Sequence, residues 1–177
     1  MGRGHRLSEF LAAARQTRAD KKIKWVFAGG GRRIDEVARA KANTPDAEII
    51  ILPYAPAQRL REHLCAADVH LASLDSRWSG CMVPSKIHGI FAVGKPIIFV
   101  GDRNNAPARW FEDARAGWVV PENDVRALLD AVASAADPEE RARRGRAARE
   151  FAQANFNRDA NLARLCDRFE AAARAAS

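Results

Sequence analysis

Short apolar runs alternate with helix-length segments along nearly the whole chain, and this alternation constrains the fold more than any other feature. Five runs read as strands: Lys24-Trp25-Val26-Phe27-Ala28, Glu48-Ile49-Ile50-Ile51-Leu52, Asp68-Val69-His70-Leu71-Ala72, Pro96-Ile97-Ile98-Phe99-Val100 and Trp118-Val119-Val120. Their β-branched and aromatic residues pack well on a pleat, and short continuous apolar runs suit a sheet covered on both faces. Ser8 reads as the cap of a first helix over residues 9–19, with Phe10, Leu11 and Ala14 on one side. Further helices are expected over residues 32–41, 57–66, 84–93 and 105–116. Pro84 suits a first helical turn, and Gly94 suits the position just past a helix end. Three terminal helices follow over residues 124–135, 138–154 and 158–175. Crossovers of this length imply parallel strands. The fold class is α/β: a doubly wound, Rossmann-like parallel sheet with C-terminal helices. The whole chain, residues 1–177, reads as one domain, with the terminal helices from 137 onward.

Ligands of such sheets sit beyond the C-terminal ends of the strands. Three loops there attract attention. Ala28-Gly29-Gly30-Gly31-Arg32-Arg33 joins a strand to a helix. Its glycines allow close approach of a ligand, or serve a plain tight turn. Ser79-Gly80-Cys81-Met82-Val83-Pro84-Ser85-Lys86 combines a glycine, a helix start and a lysine. It reads as an anion site or as a capped helix with an exposed lysine. Met1-Gly2-Arg3-Gly4-His5 is a candidate phosphate contact or a frayed end. His70 reads as structural, and His63 and His88 have no partner at metal spacing. There is no Asp-x-Asp, nucleophile elbow or ordered Ser/His/Asp set. The basic run Arg141-Ala142-Arg143-Arg144-Gly145-Arg146 lies on a helix that also carries Glu139, Glu140 and Glu150, the pattern of a solvated face. It has no aromatic platform or recognition module behind it, so no nucleic acid is expected.

Charge and cysteines narrow the setting. The chain carries 29 Lys and Arg against 22 Asp and Glu, a net charge of +7, which favours anionic partners. The chain is also rich in Ala and Arg, and a GC-rich coding bias is the alternative source of part of that excess. Cys65, Cys81 and Cys166 are far apart and match no metal-ligand spacing. No stretch approaches the roughly twenty apolar residues of a membrane span. No apolar run follows the basic N-terminus, so no secretory signal is read there. The expected location is the cytoplasm, with contact at the inner face of an anionic membrane.

Taken in order, these loops resemble the C-terminal, donor-binding domain of GT-B glycosyltransferases. The family 4 enzymes of polysaccharide biosynthesis are the most similar. The resembling pieces are Met1-Gly2-Arg3-Gly4-His5, Phe27-Ala28-Gly29-Gly30-Gly31, Leu52-Pro53-Tyr54, Ala66-Ala67-Asp68-Val69, Val83-Pro84-Ser85-Lys86-Ile87 and Ala92-Val93-Gly94-Lys95-Pro96-Ile97-Ile98. The resemblance implies transfer of a sugar from a nucleotide-diphosphate sugar to a polysaccharide or lipid-linked acceptor, with no cofactor and no required metal. It implies that Arg3 binds the donor diphosphate, with Met82, Val83, Ser85 and Lys86 cradling it. It implies that Gly29, Gly30 and Gly31 line the donor cleft and that Leu52, Pro53 and Tyr54 meet the nucleobase.

Two departures accompany the resemblance. Many members carry two Glu seven residues apart for the sugar and ribose; those places fall at Cys81 and Gly89, and neither is acidic. Members with the Pro-Ser-Lys variant often lack this pair. Family enzymes also hold the acceptor in a separate N-terminal domain, and the resemblance begins here just after the first strand of the second domain. The chain is therefore expected to be a truncated frame or one half of a split enzyme, with its central first strand and its acceptor domain supplied elsewhere. A non-catalytic nucleotide-binding or interaction module, or a relic, is the alternative; a basic nucleic-acid binder is a more distant one.

Overall fold

The computed structural model describes residues 4–31 and 33–175. It contains five strands, β1 (Trp25–Ala28), β2 (Ile49–Leu52), β3 (His70–Leu74), β4 (Ile97–Gly101) and β5 (Gly117–Val120). Eight helices accompany them: α1 (Ser8–Gln16), α2 (Ile34–Asn43), α3 (Leu60–Ala66), α4 (Lys86–Ala92), α5 (Ala106–Ala114), α6 (Val125–Ser134), α7 (Pro138–Asn155) and α8 (Arg158–Ala175). All pairing is parallel, as the crossover lengths imply, and the domain is a Rossmann-like α/β fold.

Local sequence accounts for most helix ends. Asn105, Asp124 and Asp137 cap α5, α6 and α7 by accepting from Ala108, Ala127 and Glu139 N–H groups. Gly94 adopts φ +70 after α4, and Lys95 N–H reaches back to Ile90 O, closing the helix. Ser8 departs from expectation. It is the first residue of α1, not its cap, and its hydroxyl donates to the Glu9 carboxylate instead. Residues 57–59 form a 3-10 turn rather than the first turn of α3. β3 begins two residues later than the apolar run suggests, because His70 pairs with Ile97 and the ladder extends through Ser73 and Leu74.

The strands form two sheets rather than one continuous sheet: β1 with β2, and β3-β4-β5. One core joins them. Leu7, Phe10 and Leu11 of α1 pack with Trp25, Phe27, Val37 and Ile49, and also with Ile98, Val100 and Leu128. The second core, on the opposite face, holds Leu74, Ile87, Phe91, Ile97, Phe99 and Phe111 and has no buried residue from β1 or β2. The crossover helix α2 therefore lies on one face, and α4 and α5 lie on the other. Parallel crossovers are right-handed, so β1→β2 and β3→β4→β5 step in opposite directions. The spatial order is β2-β1, an interval, then β3-β4-β5. That interval is the place the resemblance assigns to a first strand. The first sheet is also bare on one face, against the expectation of cover on both. Val26 is 47% exposed, and α3, which should cover it, buries none of its residues.

The ladder directions make the interval measurable. Trp25 N–H donates to Glu48 O and Gly29 N–H to Leu52 O, so alternation turns the Val26 and Ala28 N–H groups toward the interval. His70 N–H donates to Pro96 O, which turns Leu71 and Ser73 N–H the same way from the other side. Amide exchange should be at least about tenfold faster at Val26, Ala28, Leu71 and Ser73 than at Phe27 and Ala72. Equal protection along each strand would show that the interval is bridged.

Candidate functional site

The point where the two sheets step apart is also where the chain enters the fold. Residues 4–7 lie across the C-terminal ends of β1 and β3. Gly4 O accepts from Asp75 N–H at 2.9 Å. Arg6 N–H donates to Ser73 Oγ, and that hydroxyl donates back to Arg6 O, each at 2.9 Å. His5 Nδ1 lies 3.0 Å from Ser73 O, and Arg33, at the start of α2, donates to His5 O at 2.6 Å. Gly4 is buried because a loop sits on it: a Cβ there would lie 3.2 Å from Met82 Sδ and 3.6 Å from Trp78 Cδ1. The N-terminal segment and the Ser79-to-Lys86 loop are thus packed together, as the resemblance implies. Arg3 itself lies outside the described residues, as does Arg32.

The charges around this point are mostly committed. Arg6 pairs with Glu9 at 2.5 Å and Glu122 at 3.4 Å, with Asp75 at 3.9 Å. Glu9 is only 3% exposed, and hydrogen bonds from Ser8 and Arg6 outweigh its burial and lower its pKa. Arg77 holds Asp75 at 2.8 Å and, with its backbone N–H, brings that carboxyl to about 2. Arg33 donates twice to Glu36, at 2.7 and 2.8 Å. Lys86 differs. It is exposed, and partial desolvation by its surroundings lowers its pKa. Among the described residues no carboxylate pairs with Lys86. His5 beside it is also lowered, first by burial and then by the Lys86 charge, with Arg33 adding to the effect.

The Ser79-to-Lys86 backbone narrows the expected cradle. Cys81 and Met82 N–H groups both donate to Trp78 O, at 3.1 and 3.2 Å, so the Met82 amide is already used within the turn. Among the described residues the Val83, Ser85 and Lys86 N–H groups have no protein acceptor, and Pro84 has none to offer. Cys81 is exposed on the loop. Gly89 is half-buried on α4 and faces Leu64 of α3, where a Cβ would lie 3.2 Å from Leu64 Cδ1.

A second cluster forms beside the first. Gly29 and Gly31 adopt φ of +105 and +107, conformations that favour glycine. Tyr54 lies over the turn, 2.8 Å from the place of a Gly29 Cβ, while remaining 74% exposed. Gly29, Gly30, Leu52 and Tyr54 are therefore neighbours, with Pro53 exposed between the last two. The Arg33 bond to His5 O ties this cluster to the Lys86 side.

Other candidates have structural roles. His70 Nε2 donates to Leu64 O at 2.9 Å, and burial lowers its pKa. The His88 ring packs against Phe156 and Trp110. The basic run is more than a solvated face: Arg141 donates to Ala135 and Ala136 carbonyls at the end of α6. Arg144 bonds Gly117 O and stacks over Trp118 at 4.3 Å. Among the described residues no group of three or more His, Cys, Asp or Glu could hold a metal ion, and no helix is long and apolar enough to cross a membrane. Ser73 and Asp75 were not legible as site residues. The only signal there was a polar residue ending a buried strand.

Comparison with known proteins gives the family and the fold. The sequence model of glycosyl transferases group 1 matches residues 2–137, and the chain belongs to that family. It is 29% identical over 120 residues to a probable glycosyltransferase, WbjE, of Pseudomonas aeruginosa, an alignment covering 68% of this chain and 30% of WbjE. Among solved structures, S. aureus TarM in complex with fondaparinux, alpha-GlcNAc-glycerol and UDP superposes with a TM-score of 0.79 at 14% identity, over 94% of this chain and 33% of TarM. The sucrose-phosphate synthase of Thermosynechococcus elongatus gives 0.70 at 22% identity, over 93% and 42%. The fold is that of GT-B glycosyltransferases. The chain spans 30%, 33% and 42% of the lengths of these three relatives.

Proposed function

We propose that this member of glycosyl transferases group 1 is the donor-binding part of a sugar transferase. It holds a nucleotide-diphosphate sugar at the point where the two sheets diverge. Transfer to a polysaccharide or lipid-linked acceptor takes place when an acceptor domain, in the same or another chain, closes over it. The observation that carries this reading is Lys86: an exposed lysine with no carboxylate partner among the described residues, at the start of α4 beyond the C-terminal end of β3, on the side of a glycine turn roofed by Tyr54. Its neighbouring arginines Arg6, Arg33 and Arg77 are all paired with carboxylates. In this reading Lys86 and loop N–H groups meet the diphosphate, with Arg3 beside them and no metal required. Tyr54 offers an exposed ring for the nucleobase.

The terminal helix supports the need for a second domain. α8 buries none of its residues, and Leu162, Leu165 and Phe169 form an exposed apolar stripe at helical spacing. An acceptor domain would cover it. Calorimetric titration of the purified chain with UDP, GDP and ADP tests the first part, and binding of at least one is expected. Absence of all binding would sink the donor-site reading. A transfer assay on the same material is expected to be blank. Product formed by the 177-residue chain alone would remove the need for a second domain.

A further inference from the structure

We infer that His5 contacts the donor diphosphate through Nε2 and holds a proton more tightly when that anion is bound. The inference rests on the donor-site reading and adds to it a residue whose role no motif assigns.

The geometry sets the ring. Ser73 O can only accept, so the His5 Nδ1 at 3.0 Å must carry the hydrogen. In the neutral imidazole Nε2 then bears a lone pair and cannot donate to an anion. Among the described residues Nε2 has no hydrogen-bond partner. The backbone around the ring is held by the Gly4, Arg6 and Arg33 bonds, so the ring position is set by the fold rather than by a flexible terminus.

The electrostatics supply the switch. Lys86 faces His5 from α4 and Arg33 faces it from the start of α2; both disfavour the imidazolium, as does burial. The carboxylates nearby are turned to other partners. Glu36 is on Arg33, while Glu9, Asp75 and Glu122 converge on Arg6. His70 is held by Leu64 O and is itself disfavoured as a cation. The empty site is therefore positive and keeps His5 neutral. A diphosphate reverses the local sign, and a protonated His5 then gains a charge-assisted Nε2–H bond to it. Proton uptake means that affinity is highest below the free-state pKa of His5. Affinity falls as pH rises toward the bound-state pKa, and is flat above it.

The test is titration of the full chain with UDP-glucose, GDP-mannose and ADP-glucose, because their pyrophosphate diesters do not themselves titrate near neutrality. Calorimetry in buffers of different ionisation enthalpy should show a maximum uptake of about a quarter to half a proton near neutral pH, and affinity should fall about three- to tenfold over the histidine range. In His5→Gln the side-chain amide can still donate to Ser73 O. Its binding should lose the proton uptake and become flat with pH, near the high-pH level of the natural chain. Imidazole nitrogen NMR of the natural chain gives a second readout free of any folding defect: the His5 signal should move toward the imidazolium on saturation. Binding that is equally pH-dependent in both proteins, or a His5 signal that does not move, overturns the role of His5 and leaves the donor site standing. Failure of all three nucleotide sugars to bind would instead overturn the donor site, and this inference with it.

Discussion

Replacing Lys86 by Ala should weaken nucleoside-diphosphate binding by about 10- to 100-fold, the loss expected for one charge-assisted contact to an anion. Stability should not fall with it. Lys86 is exposed and has no carboxylate partner among the described residues, so its removal breaks no ion pair, and its surroundings hold its pKa below the usual lysine value. With the folded-state pKa lowered from 10.5, the unfolded chain binds more protons, and stability rises as pH rises from the lowered value toward 10.5. Lys86→Ala should therefore melt at or slightly above the temperature of the natural chain near neutral pH. Calorimetric titration with the bound nucleotide and a thermal melt of both proteins check the two halves. Unchanged affinity would remove Lys86 from the diphosphate site. A large loss of stability would mark it as a structural residue instead.

The second large effect is on the fold. Gly145→Ala places a methyl group where α7 crosses the end of α4. The new Cβ would sit 2.3 Å from Gly94 O, a backbone atom with little room to move. Gly94 is already constrained by its φ of +70. Alanine normally improves a helix interior by about 1 kcal/mol over glycine, so propensity alone predicts stabilisation. Packing should override it, with a loss of about 3 kcal/mol and a melting temperature lower by roughly 6 to 12 °C. Gly117→Ala should act similarly inside β5, where a Cβ would lie 2.1 Å from Ile97 O. The Gly145 variant has a further consequence. Lys86 opens the helix that Gly145 holds at its far end, so nucleotide affinity should also weaken in the folded fraction. A melting temperature equal to or above the natural one would show that the two helices have room to separate.

Much of the fold was legible because its signals are local. The five strands announced themselves as apolar runs, and four of the five begin within a residue of expectation. The exception, β3, shows the limit: where a strand starts is decided by the partner ladder, here His70 against Ile97. Asn105, Asp124 and Asp137 cap their helices because a side-chain oxygen needs to reach only two or three residues along the chain. Ser8 has the same chemistry and does not cap, because the buried Glu9 takes its hydroxyl. That competitor is itself set by Arg6 and Asn123, the latter 114 positions away in sequence.

The candidate site divides in the same way. The glycine turn and the Val83-Pro84-Ser85-Lys86 segment could be picked out by residue type and by resemblance. That the Met82 amide is used within its own turn, and that His5 points Nδ1 at Ser73, could not.

The sequence by itself determined that this chain builds parallel α/β layers, with its candidate anion-binding residues on strand-to-helix loops. Periodicity, turn chemistry and crossover length act over a few residues and need no knowledge of the rest. Only the tertiary structure decided that the strands divide into two sheets around an interval, and that the Lys86 charge acts on His5 while Arg6, Arg33 and Arg77 are paired with carboxylates. Strand registry and electrostatic pairing depend on which distant groups are brought within a few ångströms, and no local pattern encodes that.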